Sequence, residues 1–284
     1  MNASPESAPD ARALHERLGR VGSQPVDVHS ITNKRLTVNY RSPIERLRRI
    51  VPEPLELEEL GSTGRGVISM CVCDFRVTRI GLVPVPPVHT NEMLCRVSVR
   101  VPKGDTTKRA YYTLRSDTSS LLLGLFGGRF SHFRKATSAF TRRDDGSVYA
   151  LKCRADDELC GGELSAALGT LSKKPPATSC FANVAAATDF LFELDGSCGY
   201  DYATDRLSFQ EIDYPEWDLS FCHVFRARFP LIEHLERWYD LGLEFDCTLF
   251  MQNVRQVWRS AWLYPAPAAA RRQPEPEPQP AALA

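Results

Sequence analysis

Hydrophobic and polar positions along the chain follow a period of two more often than a period of three to four. RLTVNY (35–40), GVISMCVCDFRV (66–77), NEMLCRVSVRV (91–101), RAYYTLRS (109–116) and SVYALKC (147–153) alternate or are rich in β-branched and aromatic residues, and each is predicted to be a strand. RRDDGSVY carries the Asp-Gly signature of a hairpin turn. In LFGGRFSHFRKATSAF (125–140) the alternation places Phe130, His132 and Arg134 on one side of a further strand. EFDCTLFMQNVRQVWRSAW (244–262) supplies more strands. Helical spacing is rarer. SPIERLRRIVP has Ser42 as N-cap, Pro43 at the first helical position and an apolar face of Ile44, Leu47 and Ile50. FPLIEHLERWYDLGL repeats the pattern with Pro230 at its start, Ile232, Leu235, Trp238 and Tyr239 inward, and Gly242 near its end. Many strands, few helices and no strict alternation of the two predict an α+β, predominantly antiparallel β fold.

Length and composition bound the organisation. The 284 residues suffice for one large core. Residues 1–25 and 265–284, rich in Ala, Pro and charge, are expected to be disordered tails flanking a single domain over 26–264. CGGELSAALGTLSKKPPATSC (160–180) is expected to be a surface excursion rather than a cover over a site.

Charge is balanced at 35 basic against 35 acidic residues, so no electrostatic footprint for nucleic acid arises. No apolar run approaches the roughly 18 residues of a membrane span, and the N-terminus has no signal-peptide core. Nine cysteines, an odd number, fit a reducing cytoplasm. Cys71 and Cys73 share one face of a strand, but no second pair follows at ligand spacing, so a buried structural role is expected and no metal site. Glycine pairs without a phosphate-loop lysine exclude a nucleotide loop, and the Gly-x-Ser-x-Gly elbow of α/β-hydrolases is absent.

Two segments carry a family resemblance. RLTVNYRSPIERLRRIVPEPLELEE (35–59) resembles the opening of the acetoacetate decarboxylase family, with Tyr40, Arg41, Leu47, Arg48 and the VPEPLE turn (51–56) in step. YYTLRSDTSSLLLGLFGGRFSHFRK (111–135) is similar to that family's central segment, in which a strand and a small-residue helix start precede a Tyr-Pro-Lys-Lys strand. The overall pattern also resembles the uncharacterised relatives grouped as DUF2071. The resemblance implies an acetoacetate-decarboxylase-like closed β structure around an apolar cavity with a few outer helices. It further implies a small-molecule ligand or substrate, no cofactor, and a homo-oligomer.

In that family the first lysine of the pair forms a Schiff base with a β-keto acid, and its surroundings lower its pKa, which makes the enzyme a standard example of an activated lysine. Two registers place His132 or Arg134 at the lysine position, and both assign the reactive direction to the same face. Lys135 reaches that face only through a one-residue slip or a bulge. Glu92 matches the family's acidic residue, with Asn91 as the one-residue alternative, while the family's early arginine falls on Asn33, beside Lys34 and Arg35. Arg134 or Arg129 is then expected to bind a carboxylate, with Phe130 and Asp117 completing the lining.

The resemblance implies one of three functions. The first is an enzyme acting on a carbonyl-containing or enolisable molecule by acid–base chemistry, with His132 as proton shuttle, Glu92 as its partner and Arg134 as charge stabiliser. The second is a non-catalytic binding protein using the same cavity. The third is a Schiff-base decarboxylase working through Lys135.

Overall fold

The computed structural model describes residues 10–18, 21–121, 123–124, 135–154, 157, 159, 161–214 and 218–266. A single sheet of 14 strands dominates it. The strands are β1 (Val28–Pro43), β2 (Glu56–Leu57), β3 (Arg65–Ile80), β4 (Val83–Lys103), β5 (Thr106–Thr118), β6 (Lys135–Thr137) and β7 (Ala139–Asp144). They continue as β8 (Val148–Arg154), β9 (Gly162–Ser172), β10 (Gly196–Asp201), β11 (Arg206–Asp213), β12 (Ser220–Arg228), β13 (Glu244–Trp258) and β14 (Leu263–Pro265). The helices are α1 (Ala11–Leu18), α2 (Ile44–Leu47, continued as a 3-10 turn over Arg48–Ile50), α3 (Val184–Leu191) and α4 (Pro230–Tyr239).

Strand order is β14-β11-β10-β5-β4-β3-β1-β13-β12-β9-β8-β7, antiparallel except where β10 and β6 lie parallel to β5. A short pairing of β11 with β13, Ile212 with Trp258 and Asp213 with Val257, closes the run from β11 round to β13 into a ring. Strands β12, β9, β8 and β7, which continue the sheet beyond β13, fold back over the outside of that ring. There Asp144 of β7 meets Lys34 of β1 at 2.6 Å, and Arg142 pairs with Asp74 of β3.

Alternation decides which residues face which side. On β4, Met93, Cys95, Val97, Val99 and Val101 point outward into the main apolar core with Leu36, Val38, Met70 and Val72. Glu92, Leu94, Arg96 and Ser98 point inward. A second apolar cluster of Phe181, Phe190, Phe192, Leu219, Phe221, Leu249 and Met251 belongs to that inner side, and α3 contributes Ala187, Phe190 and Leu191 to it. Where an apolar cavity is expected, the inner face is thus divided. It is apolar beside α3 and polar along β1, β3, β4 and β5, where Thr37, Asn39, Ser69, Ser98, Ser116 and Thr118 are all buried.

The helices match their sequence signals with two corrections. Ser42 does not cap α2; it still belongs to β1, paired with Gly66, and its hydroxyl donates instead to the Leu241 carbonyl at 2.6 Å. Pro43, extended at φ −53° and ψ 131°, takes the cap position. Helix α4 begins at Pro230 and ends where Asp240 turns left-handed at φ 48°. Its buried face is Leu231, Ile232, Leu235 and Tyr239.

Residues 11–18, expected to lie in a disordered tail, form α1. Leu14 and Leu18 are buried, and the His15 ring contacts the Ile50 carbonyl at 3.1 Å and the Tyr112 hydroxyl at 2.9 Å. Burial pushes the His15 imidazole down from its usual 6.5 to about 4. Strand β14, at the start of the other expected tail, pairs with β11, whereas 1–9 and 267–284 lie outside the described residues. The segment expected to be a surface excursion supplies β9, held between β8 and β12. Among the described residues no helix is long and apolar enough to cross a membrane.

Candidate functional site

Register across the ring assembles the site. Arg35 of β1 stands opposite Cys73 of β3, Cys73 opposite Glu92 of β4, and Glu92 opposite Thr118 of β5. One row along, Thr37, Cys71, Leu94 and Ser116 face one another in the same way, and Ser116 pairs with Lys135 of β6. Directly paired residues project to the same side of a sheet, so all of these side chains share the inner face.

Lys135 Nζ and Glu92 Oε1 form an ion pair over Ser116 and Thr118. The two side chains are 11% and 4% exposed, and the Phe75 ring lies 5.9 Å from the ammonium. The pair therefore sits in a medium where its attraction is far stronger than at a surface. The alternation over 125–140 assigns this face to His132 and Arg134 and leaves Lys135 behind it. Pairing with β5 decides otherwise: β6 begins at Lys135, in register with inward-facing Ser116. Gly124 permits the close approach, since a Cβ there would stand 1.8 Å from Thr137 Oγ1 on β6.

Two arginines share the face. Arg35 and Arg96 are 6% and 5% exposed, and Nε of each, together with Nη2 of Arg96, has no hydrogen-bond partner among the described residues. A buried guanidinium without full hydrogen bonding is costly, and its unused N–H groups are donors able to accept an anionic partner. The Arg96 guanidinium carbon lies 3.6 Å above the Tyr111 ring and 5.6 Å from Phe192, a stacking arrangement that offsets part of that cost. Burial pushes the Tyr111 hydroxyl up to about 12 although Arg96 works the other way, so Tyr111 stays a neutral donor.

Between the arginines lie Cys71 and Cys73, both at most 2% exposed. Burial opposes a thiolate at Cys71. The hydrogen bond from Cys73 and the charges of Arg35 and Arg96 outweigh it, and the thiol is held well below its ordinary range. The Thr37 hydroxyl adds a contact at 3.8 Å. Cys73 moves the opposite way, through its hydrogen bond to Cys71 and its burial.

The other expected residues are placed differently. Asn91 and Asp117 alternate with Glu92 and Thr118, so they project from the outer face. There Asp117 accepts from Arg115 at 3.3 Å and from Ser138 at 3.2 Å, and its carboxyl is pushed up by burial against the pull of Arg115. His132, Arg134, Arg129 and Phe130 lie outside the described residues. Arg96 is absent from the sequence-based site, and Arg35 enters it only as a neighbour of Asn33. Among the described residues no group of three or more His, Cys, Asp or Glu side chains is placed to hold a metal ion.

Several solved structures share this architecture. The enduracididine biosynthesis enzyme MppR, complexed with pyruvate, superposes with a TM-score of 0.53 at 12% identity, over 84% of this chain and 90% of its own. An acetoacetate decarboxylase-like enzyme from Sphingomonas wittichii RW1 gives 0.53 at 13% identity, over 86% and 94%. Acetoacetate decarboxylase from Legionella pneumophila gives 0.54 at 9% identity, over 84% and 87%. At these identities the likeness is one of fold. No curated protein matches the chain. The model of DUF2071, described as an uncharacterized conserved protein, matches residues 32–237, most of the ring and its covering strands, and the chain belongs to that family.

Proposed function

We propose that the protein is an enzyme acting on a small oxo acid, with Lys135 condensing with the substrate's carbonyl and the carboxylate held by Arg35 and Arg96. The observation that carries this reading is the buried Lys135–Glu92 pair on the same inner face as two incompletely hydrogen-bonded guanidiniums. A lysine attacks a carbonyl only as the free amine, and Glu92 is placed to take its proton. Glu92 takes one ammonium proton, Nζ bonds to the carbonyl carbon, and a second N–H proton moves to the oxygen to give the carbinolamine. The proton on Glu92, passed to that hydroxyl, lets it leave as water. The resulting iminium draws electrons from the adjacent carbon, from which Glu92 can then remove a proton.

The arginines govern the fate of that iminium. A carboxylate gripped by two guanidiniums is stabilised as an anion and resists conversion into neutral carbon dioxide. The site therefore favours enolisation, dehydration, cyclisation or condensation with the carboxylate retained, over decarboxylation. The pyruvate bound to MppR supports a 2-oxo acid as the substrate class.

Borohydride trapping tests the reading. Incubation with pyruvate or acetoacetate, reduction and peptide mass analysis should place an adduct on Lys135. Turnover without an adduct, abolished by His132→Ala, would favour acid–base chemistry through His132. A bound ligand that is neither trapped nor changed would favour a binding protein.

A further inference from the structure

The inner face holds a nucleophile that the imine reading does not use. Cys71 and Cys73 project from the same face of β3, Arg35 stands directly opposite Cys73, and Arg96 is one residue pair along from the Leu94 that faces Cys71. Both guanidiniums are more than nine-tenths buried and retain unused N–H donors. A strand gives a side chain at i+2 the same direction, so the dithiol and the two cations converge on one small volume.

We propose that Cys71 is a second, carboxylate-directed nucleophile of this site, taking small anionic electrophiles of the α,β-unsaturated carboxylate class while Arg35 and Arg96 hold the carboxylate. The Cys71 sulfur bonds to the β-carbon, and the π-electron pair moves to the α-carbon, where the held carboxylate spreads the charge. The Cys73 thiol, beside Cys71 on the same face of β3, supplies the proton to the α-carbon and is left as the thiolate beside the arginines. Nothing leaves, and no oxidant or reductant is needed. Electrostatics support the assignment, since both arginine charges favour the Cys71 sulfur as the thiolate. The inference shares the arginine anion receptor with the proposed function but is independent of the imine at Lys135.

The test compares two alkylating probes of nearly equal size, iodoacetate and iodoacetamide, on the intact protein with N-acetylcysteine in the same solution as reference. In both, the sulfur–carbon bond forms as iodide leaves, so access and chemistry cancel and the charge of the probe remains. A basic enclosure raises local anion concentration by about tenfold or more. Peptide mass analysis should therefore show Cys71 favouring iodoacetate by at least about tenfold relative to N-acetylcysteine. Pyruvate should suppress iodoacetate labelling of the wild type, and Arg96→Met should bring the ratio down toward the reference. Cys71→Ser should remove the label.

No labelling of Cys71 by either probe overturns the proposal, as does a ratio equal to that of N-acetylcysteine. Glu92→Gln with Lys135→Met separates the two readings, because it removes both charges of the pair, must abolish trapping and must leave the Cys71 ratio well above that of N-acetylcysteine. Trapping at Lys135 with an unreactive Cys71 sinks this inference alone. A reactive Cys71 without trapping sinks the imine alone.

Discussion

Glu92 and Lys135 meet across a strand to which neither belongs: β5 runs between them, and only the short side chains of Ser116 and Thr118 stand beneath the ion pair. Small residues at these positions are what let two long side chains touch over a full inter-strand width. Replacing Lys135 by Met leaves the Glu92 carboxylate buried and alone, at a cost of about 3 to 5 kcal/mol. Removing both charges, as Glu92→Leu with Lys135→Met, should recover most of the loss. Urea titration of the two variants checks this, and an equally unstable double variant would contradict it.

Ser116→Leu should insert a branched chain under the same pair. Overpacking of this kind costs about 1 to 3 kcal/mol, and Lys135 trapping should fall by at least about tenfold as the amine is displaced from its geometry. Trapping rate and thermal midpoint, measured on the same sample, separate the two effects.

The inner arginines oppose stability. Arg96→Met exchanges a buried, incompletely satisfied guanidinium for an apolar chain of similar length, which relieves a desolvation penalty of about 1 to 3 kcal/mol. The expected outcome is a protein that melts higher on its own and is no longer raised by pyruvate, whereas the wild type is raised through binding to the folded state. A variant still stabilised by pyruvate would remove Arg96 from the anion receptor.

These residues explain how much of the fold and site is legible in the sequence. The strands β1, β3, β4, β5 and β8 stand out because their alternation is regular, and the Asp145-Gly146 turn because its chemistry is local; Gly146 does take a positive φ of 83°. The same alternation hid the site. Glu92, Leu94, Arg96 and Ser98 resemble the solvated face of a half-buried strand, and only ring closure, set by the distant pairing of β11 with β13, turns that face inward. The polar-rich α1 and the Ala- and Gly-rich β9 lack strong periodicity, so tertiary packing decides them. Lys135 depended on the parity of a three-residue strand, which pairing with Ser116 settles and periodicity cannot.

His15 gives the fold a pH dependence. The unfolded chain binds a proton near pH 6.5, whereas the folded chain binds it only near 4, so between these values the unfolded state carries more protons. Stability is complete above about 6.5 and is lost as pH falls toward 4, by roughly 3 kcal/mol over the window. Thermal midpoints from pH 7.5 to 4.5 should show the decline, and His15→Gln should flatten it. An unchanged slope would assign the effect to other groups.

Gly196 is required where β10 meets β11. A Cβ there would lie 2.0 Å from the Gln210 carbonyl oxygen, a backbone atom that cannot step aside without breaking the pairing. Gly196→Ala should destabilise the protein severely, in contrast to Gly104→Ala at an open turn, where φ alone resists the change. Comparison of soluble yield and thermal midpoint tests the difference.

The closing pairs Ile212–Trp258 and Asp213–Val257 make the ring a hoop whose shortest seam has two residue pairs, against three between β10 and β5. Arg259 acts as its rivet, joining Asp27 ahead of β1 to Asp213 at the end of β11. Such a hoop does not loosen evenly. Opening at that short seam would leave the long β1–β13 pairing intact, and the arginines, the two cysteines and the Lys135–Glu92 pair would then face solvent together.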